Sequence, residues 1–217
     1  MKAIDILIEA ESVKPTALEN PSNKKVATTT QAAAKINTDT GPTSAAFRNK
    51  LNQISGRLGV STSDLLKIMH FESGLDPART NDIGATGLIQ FLPKTAKKLG
   101  TTTAELAKMS AVDQLDYVEK YYRMNQVKPG MDIGDLYLMT YMPAAVQMNK
   151  PDDFVLGVDP TSKQWNRTEK VSKPFPNDPT VTLANNWDKN PAFADYATKN
   201  NRDYFTVGDI RKYITAR

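Results

Sequence analysis

Apolar residues recur at helical spacing through the middle of the chain. Phe47, Leu51, Ile54 and Leu58 form one stripe, closed by Gly59. A second pattern runs from Leu65 to Glu72, with Ser61 to Ser63 as N-cap candidates before it and Ser73-Gly74 as a stop behind it. Pro93 suits the first turn of a further helix, closed by Gly100. Thr102 and Glu105 have capping-box spacing for a short helix through Met109. Ser110 opens a longer helix whose buried face is Leu115, Val118 and Tyr122. Lys128-Pro129-Gly130 is a turn, and Asp132 or Asp135 opens a helix from Leu136 to Met142 that Pro143 interrupts. None of these segments alternates as a strand does, so the expected fold is mainly α, a helical bundle over residues 45–150.

The flanks have weaker patterns. In residues 1–12, Ile4, Ile6 and Ile8 recur at period two around Leu7, which suits a short strand, a docking peptide or a frayed end. Residues 13–45 are rich in Thr, Ala, Lys, Asn and Pro and read as a linker, so 1–44 form an N-terminal tether. Residues 151–217 read as a loop-rich extension, extended from 150 to 190, with short helices at Ala192–Thr198 and Val207–Ala216. Between those helices lies Thr198 to Asp209, whose end resembles the second half of a calcium-binding EF-hand loop or matches it by coincidence. Thr198 and Arg202 stand where carboxylates are wanted, so the expectation is a degenerate helix-loop-helix without calcium.

Composition narrows the function classes. A chain of 217 residues suits one substantial domain with appendages, or two small ones. No apolar run has membrane-spanning length, and no membrane partner is expected. There is no cysteine, which excludes disulfides and thiolate metal sites. The net charge of +4 mildly favours anionic polymers but is too small to argue nucleic-acid binding. Acidic residues interrupt the apolar patch at the N-terminus, so it is not read as a signal peptide.

The candidate chemistry centres on Glu72. It lies at i, i+3, i+7 with Leu65 and Ile68, so a carboxyl points where a methyl group is expected. The alternative is a solvated glutamate near a helix end. Desolvation and the negative end of the helix dipole both disfavour its charged form, which suits a general acid. Downstream, Gly84 and Gly87 make a tight turn into Gly87-Leu88-Ile89-Gln90, followed by Pro93, Thr95 and Ala96. Together with Glu72-Ser73, these motifs resemble the soluble lytic transglycosylase domain, whose members are peptidoglycan-cleaving relatives of goose-type lysozyme. The resemblance covers about residues 45 to 150.

It implies a lysozyme-like α-helical domain, a peptidoglycan glycan substrate, no cofactor and no metal. One glutamate, here Glu72, protonates the leaving oxygen and then takes a proton from the sugar's own 6-hydroxyl, leaving a 1,6-anhydro-muramyl end. Ser73 would orient Glu72 or bind sugar, or else cap the helix. Gln90 would hold an acetamido group, or else satisfy buried backbone. Gly87 and Ile89 complete the substrate-binding set. Tyr141 matches the tyrosine of the family's third motif and would bond Glu72 or line the cleft, unless it is a core residue. The sequence departs there, with Met142 and Pro143-Ala144-Ala145 in place of the usual Asn and Gly. A hydrolase of the goose-lysozyme type would need a second carboxylate, for which Asp76 and Asp82 are the nearby candidates. His70 lacks the companions of a metal site. A rival from another class is a non-catalytic wall-binding or structural component. Tyr141 to Ala145 also resembles a segment of phage proteins. A phage tail, baseplate or ejected protein acting in the host periplasm and cell wall is therefore expected, attached to its carrier, or to a secretion machine, through residues 1–12.

Overall fold

The protein is described by a computed structural model over residues 40–164 and 182–217. The expected docking peptide, most of the expected tether and residues 165–181 of the extension lie outside the described residues. Within them are ten helices and one two-stranded sheet.

The helix starts follow side-chain caps. Ser44, Ser61 and Ser110 cap α1 (Ala45–Leu58), α2 (Thr62–Ser73) and α5 (Ala111–Met124), each hydroxyl accepting the N–H three residues on. Thr102 and Glu105 form the expected capping box on α4 (Thr103–Leu106), which ends short of Met109. Asp132, rather than Asp135, caps α6 (Ile133–Tyr141). Pro93 and Pro143 occupy the first turns of α3 (Pro93–Lys98) and α7 (Pro143–Gln147). The apolar stripes then meet: Phe47, Leu51 and Ile54 of α1, Leu65 and Ile68 of α2, Val118 of α5 and Leu136 of α6 join one buried cluster. Each such side chain stabilises the fold by about 1.5–3 kcal/mol.

The chain after residue 150 differs from the sequence expectation. It contains β1 (Val155–Val158), α8 (Leu183–Lys189), α9 (Pro191–Lys199), β2 (Tyr204–Thr206) and α10 (Val207–Thr215). The two last helices were expected; β1 and α8 are regular elements in the stretch expected as extended loop, and β2 lies between the two expected helices. Each is too short to display a period. The strands pair antiparallel with an irregularity between Val155 and Gly157. A Cβ at Gly157 would overlap the Phe205 ring, so the missing side chain admits it. Phe205 stacks on Trp187, ring centres 6.0 Å apart. Phe193, Phe205, Ile210 and Ile214 belong to the same apolar cluster as Phe47 and Leu65, so packing crosses the expected boundary at 150.

The calcium-like loop has a different logic. Asp209 closes a capping box with Thr206 on α10, and Arg202 holds both its oxygens at 2.7 and 2.6 Å. Burial raises the Asp209 pKa, but the Arg202 guanidinium outweighs it and the net shift is downward.

On the outer face, Glu119 of α5 takes Arg57 of α1 at 2.6 Å and Arg123 at 2.7 Å. Hydrogen bonding from Arg57 is the main cause that lowers the Glu119 carboxyl from 4.5 to about 2. A depressed carboxyl contributes stability that is full above its unfolded value and is lost as pH falls through its folded one. Denaturant titrations should therefore show Glu119→Gln less stable than wild type by about 1–2 kcal/mol at pH 6, after screening at the half-exposed arginines. The gap should close between about pH 4.5 and 2.

Candidate active site

Glu72 lies in the last turn of α2 and is 3% exposed, with both carboxyl oxygens shielded from solvent. Leu65, Ile68 and Met69 are buried on its side of the helix, as the spacing predicts. The helix stops there because Gly74 takes φ 68° and returns its N–H to the His70 carbonyl at 2.8 Å.

Tyrosines surround the carboxyl. Burial first, and then the neighbouring charge of Glu72, pushes the Tyr137 phenol well above its ordinary pKa. Tyr122 and Tyr141 are also raised, mainly by burial with Glu72 adding to it, while hydrogen bonds to Thr140 and Asn186 partly offset the shift. All three stay protonated near neutral pH. Phe71 stands edge-on to Tyr137 with ring centres 5.3 Å apart.

Behind the carboxyl, the turn at Gly87 is braced by polar side chains. The Ser73 hydroxyl is shared between the Met69 and Leu88 carbonyls, each at 3.0 Å. It thus ties the end of α2 to the turn and faces backbone. Gly87 has φ 86°, and a Cβ there would overlap Gln114 Oε1. Gln114 of α5 is fully buried. Its Oε1 accepts the Leu88 N–H at 2.9 Å, and its Nε2 donates to the Pro77 and Leu106 carbonyls, both at 2.6 Å. Gln90 is fully buried with φ 54°, and its Nε2 donates to the Arg79 and Gly87 carbonyls. Ile89 is fully buried in the core.

Several of the candidate residues are buried. Gly87, Ile89 and Gln90 build the turn behind Glu72, and in this conformation Ile89 and Gln90 face inward because their bulk fills the core there. Tyr141 is fully buried; its hydroxyl donates to Asn186 Oδ1 at 3.0 Å and its ring stacks on Tyr137. Asp76 and Asp82 are exposed, and Asp76 accepts the Ala78 N–H at 2.8 Å. His70 is exposed on the other side of α2, beside Leu66, Lys67 and Arg217. Among the described residues no group of three or more His, Asp or Glu could hold a metal ion.

Sequence reasoning missed Gln114, Tyr137 and Asn186. Gln114 carried the same signal as Glu72, a polar group on an apolar helix face, here with Ala111, Leu115 and Val118. Asn186 carried none, lying 45 residues from the tyrosine it holds.

The arrangement is a single shielded carboxyl at a helix end, in a mostly helical, lysozyme-like domain. Residues 50–142 match the family described as the Transglycosylase SLT domain, whose members are lytic transglycosylases acting on peptidoglycan. The match spans Glu72, the Gly87 turn, Gln114 and Tyr141. No curated protein matches the chain.

Gly87→Ala should destabilise the fold by about 2–3 kcal/mol, from its positive φ and the displacement of Gln114. Calorimetry should find a fall of about 2–4 °C in Tm per kcal/mol. A change near zero would show that the turn has room for a methyl group.

Proposed function

We propose that the protein is a lytic transglycosylase that cuts the β-1,4 bond between N-acetylmuramic acid and N-acetylglucosamine in peptidoglycan, with Glu72 as its single acid and base. The observation that carries this reading is that Glu72 is the one carboxyl buried within residues 50–142, the segment that matches the transglycosylase family. The rival carboxylates Asp76 and Asp82 lie in water.

The leaving glycosidic oxygen needs a proton, and the oxocarbenium-like centre needs a partner. Glu72 donates that proton. The substrate's N-acetyl group assists, and the Glu72 carboxylate then accepts the proton of the 6-hydroxyl as that oxygen closes on the anomeric carbon. No water is consumed, so no second carboxylate is required.

Glu72→Gln keeps the shape and removes the acidic proton. Clearing of isolated peptidoglycan should fall by roughly 10²–10⁴-fold or more, with the circular dichroism spectrum and Tm retained. Near-normal clearing by the folded variant would sink the assignment. Mass spectrometry of the digest should find anhydro-muramyl ends; reducing ends carrying solvent ¹⁸O would mark a hydrolase instead.

The setting we propose is a phage virion, supported by the likeness of Tyr141 to Ala145 to a segment of phage proteins. Ile4, Ile6, Leu7 and Ile8 are the candidate attachment. Deleting residues 1–12 should leave clearing by the purified enzyme intact and remove the protein from its particle. Normal incorporation of the truncated protein would move the attachment elsewhere.

A further inference from the structure

The general acid has to come within hydrogen-bond reach of the oxygen it protonates. In this conformation no glycan reaches Glu72, whose two oxygens are both shielded. What shields them is layered. The inner layer is Tyr122, Tyr137 and Tyr141, with Phe71 edge-on to Tyr137, all within the segment that matches the transglycosylase family. The outer layer comes from beyond it. Phe193 of α9 stands edge-on to Tyr141 with ring centres 5.2 Å apart, and 6.2 Å from Tyr137. Tyr213 of α10 lies 5.9 Å from Phe71. Asn186 of α8 holds the Tyr141 hydroxyl.

We propose that α8–α10 are a cover over the site and that the structure is its closed state, a proposal that rests on the catalytic reading of Glu72. The cover bears on the tyrosine wall through rings and one hydrogen bond, and its Phe205, Ile210 and Ile214 are part of the common core, so lifting it frees the wall and uncovers those apolar side chains while leaving every helix of the catalytic segment intact. Its fastening is the apolar packing of Val207, Ile210 and Ile214 in the common core, with an ion pair at the edge of α10. Arg211 of α10 pairs with Asp135 of α6 at 2.7 Å and with Asp152, and the Arg211 side chain is about a third exposed. Ion pairs of this kind are individually weak and screened by salt. The arrangement gives a chain that holds its acid out of reach until α10 lifts from α6.

The chain has no cysteine, so one engineered bridge tests this cleanly. A Cβ built at Gly134 stands 3.1 Å from the Arg211 Cβ, close to the roughly 3.5–4.5 Å of a disulfide. The double variant Gly134→Cys, Arg211→Cys would be compared with itself, oxidised and reduced. Two readouts are needed. One is carbodiimide-driven amine coupling at Glu72, located by mass spectrometry, with exposed Asp76 as the internal reference. The other is clearing of isolated peptidoglycan. The expected result is Glu72 coupling slower by about tenfold or more in the oxidised form, with equal coupling at Asp76, and clearing restored by reductant. Equal coupling at Glu72 in the two forms overturns the cover. Gated coupling without clearing in the reduced form leaves the cover standing and sinks the transglycosylase reading. In the otherwise unaltered chain, Arg211→Ala removes the ion pairs and should speed Glu72 coupling by up to about fivefold per lost pair. An unchanged rate overturns their part in the fastening.

Discussion

A carboxyl group held out of water governs the layout of this molecule. Glu72 sits on the face of α2 that also buries Leu65 and Ile68, so everything around it must exclude solvent and still satisfy the backbone that ends there. Gly74 ends the helix with a left-handed residue, and Ser73 uses its hydroxyl to bind the neighbouring turn. The turn can approach because Gly87 lacks a side chain where Gln114 must stand. Tyrosines fill the remaining sides; their rings exclude water, and burial keeps their hydroxyls neutral beside the carboxyl.

The same requirement explains why the late segment is part of one core. An aromatic wall of Phe71, Tyr137 and Tyr141 has an outer surface as apolar as its inner one. Phe193 and Tyr213 cover that surface with Phe205 packed behind Phe193, and the β1–β2 pair anchors them to the chain just after α7. Separated along the sequence, these rings look like scattered aromatics in polar chain. Assembled, they are the outer half of a sandwich whose inner half is the site.

How much of this was legible depended on whether the signal was local. The helices of residues 45–142 followed from stripes and caps, because Ser61, Ser110 and Asp132 act within three residues of themselves. Glu72 was legible as a polar group at an apolar position. Gln90 was legible as a residue with two candidate roles, and the two carbonyls it binds were not, since folding brings them to it. The strands and α8 were not legible at all. Val155 to Val158 and Leu183 to Lys189 are shorter than the window over which a period can be recognised, and they exist through pairing with distant residues. The likeness of residues 198–209 to a calcium loop came from Asp209, whose actual partner is Arg202, four residues beyond Thr198 and seven before Asp209.

Gln114 has a consequence for how such a site diversifies. One amide closes three separate loops, and in each it takes a main-chain group: the carbonyls of Pro77 and Leu106 and the N–H of Leu88. Gln114 itself therefore makes no demand on the side chains of the loop from 76 to 83; those that shape its path are Asp76, Thr80 and Asn81, which bond within the loop and to Ala85 and Thr86. Residues such as Arg79, Asp82 and the exposed Ile83 are at liberty to be rewritten for a different glycan or cross-link, while the frame that holds the acid stays unaltered. The exposed face of this loop and the architecture beneath it are thus separable, with the amide of Gln114 as the hinge pin between them.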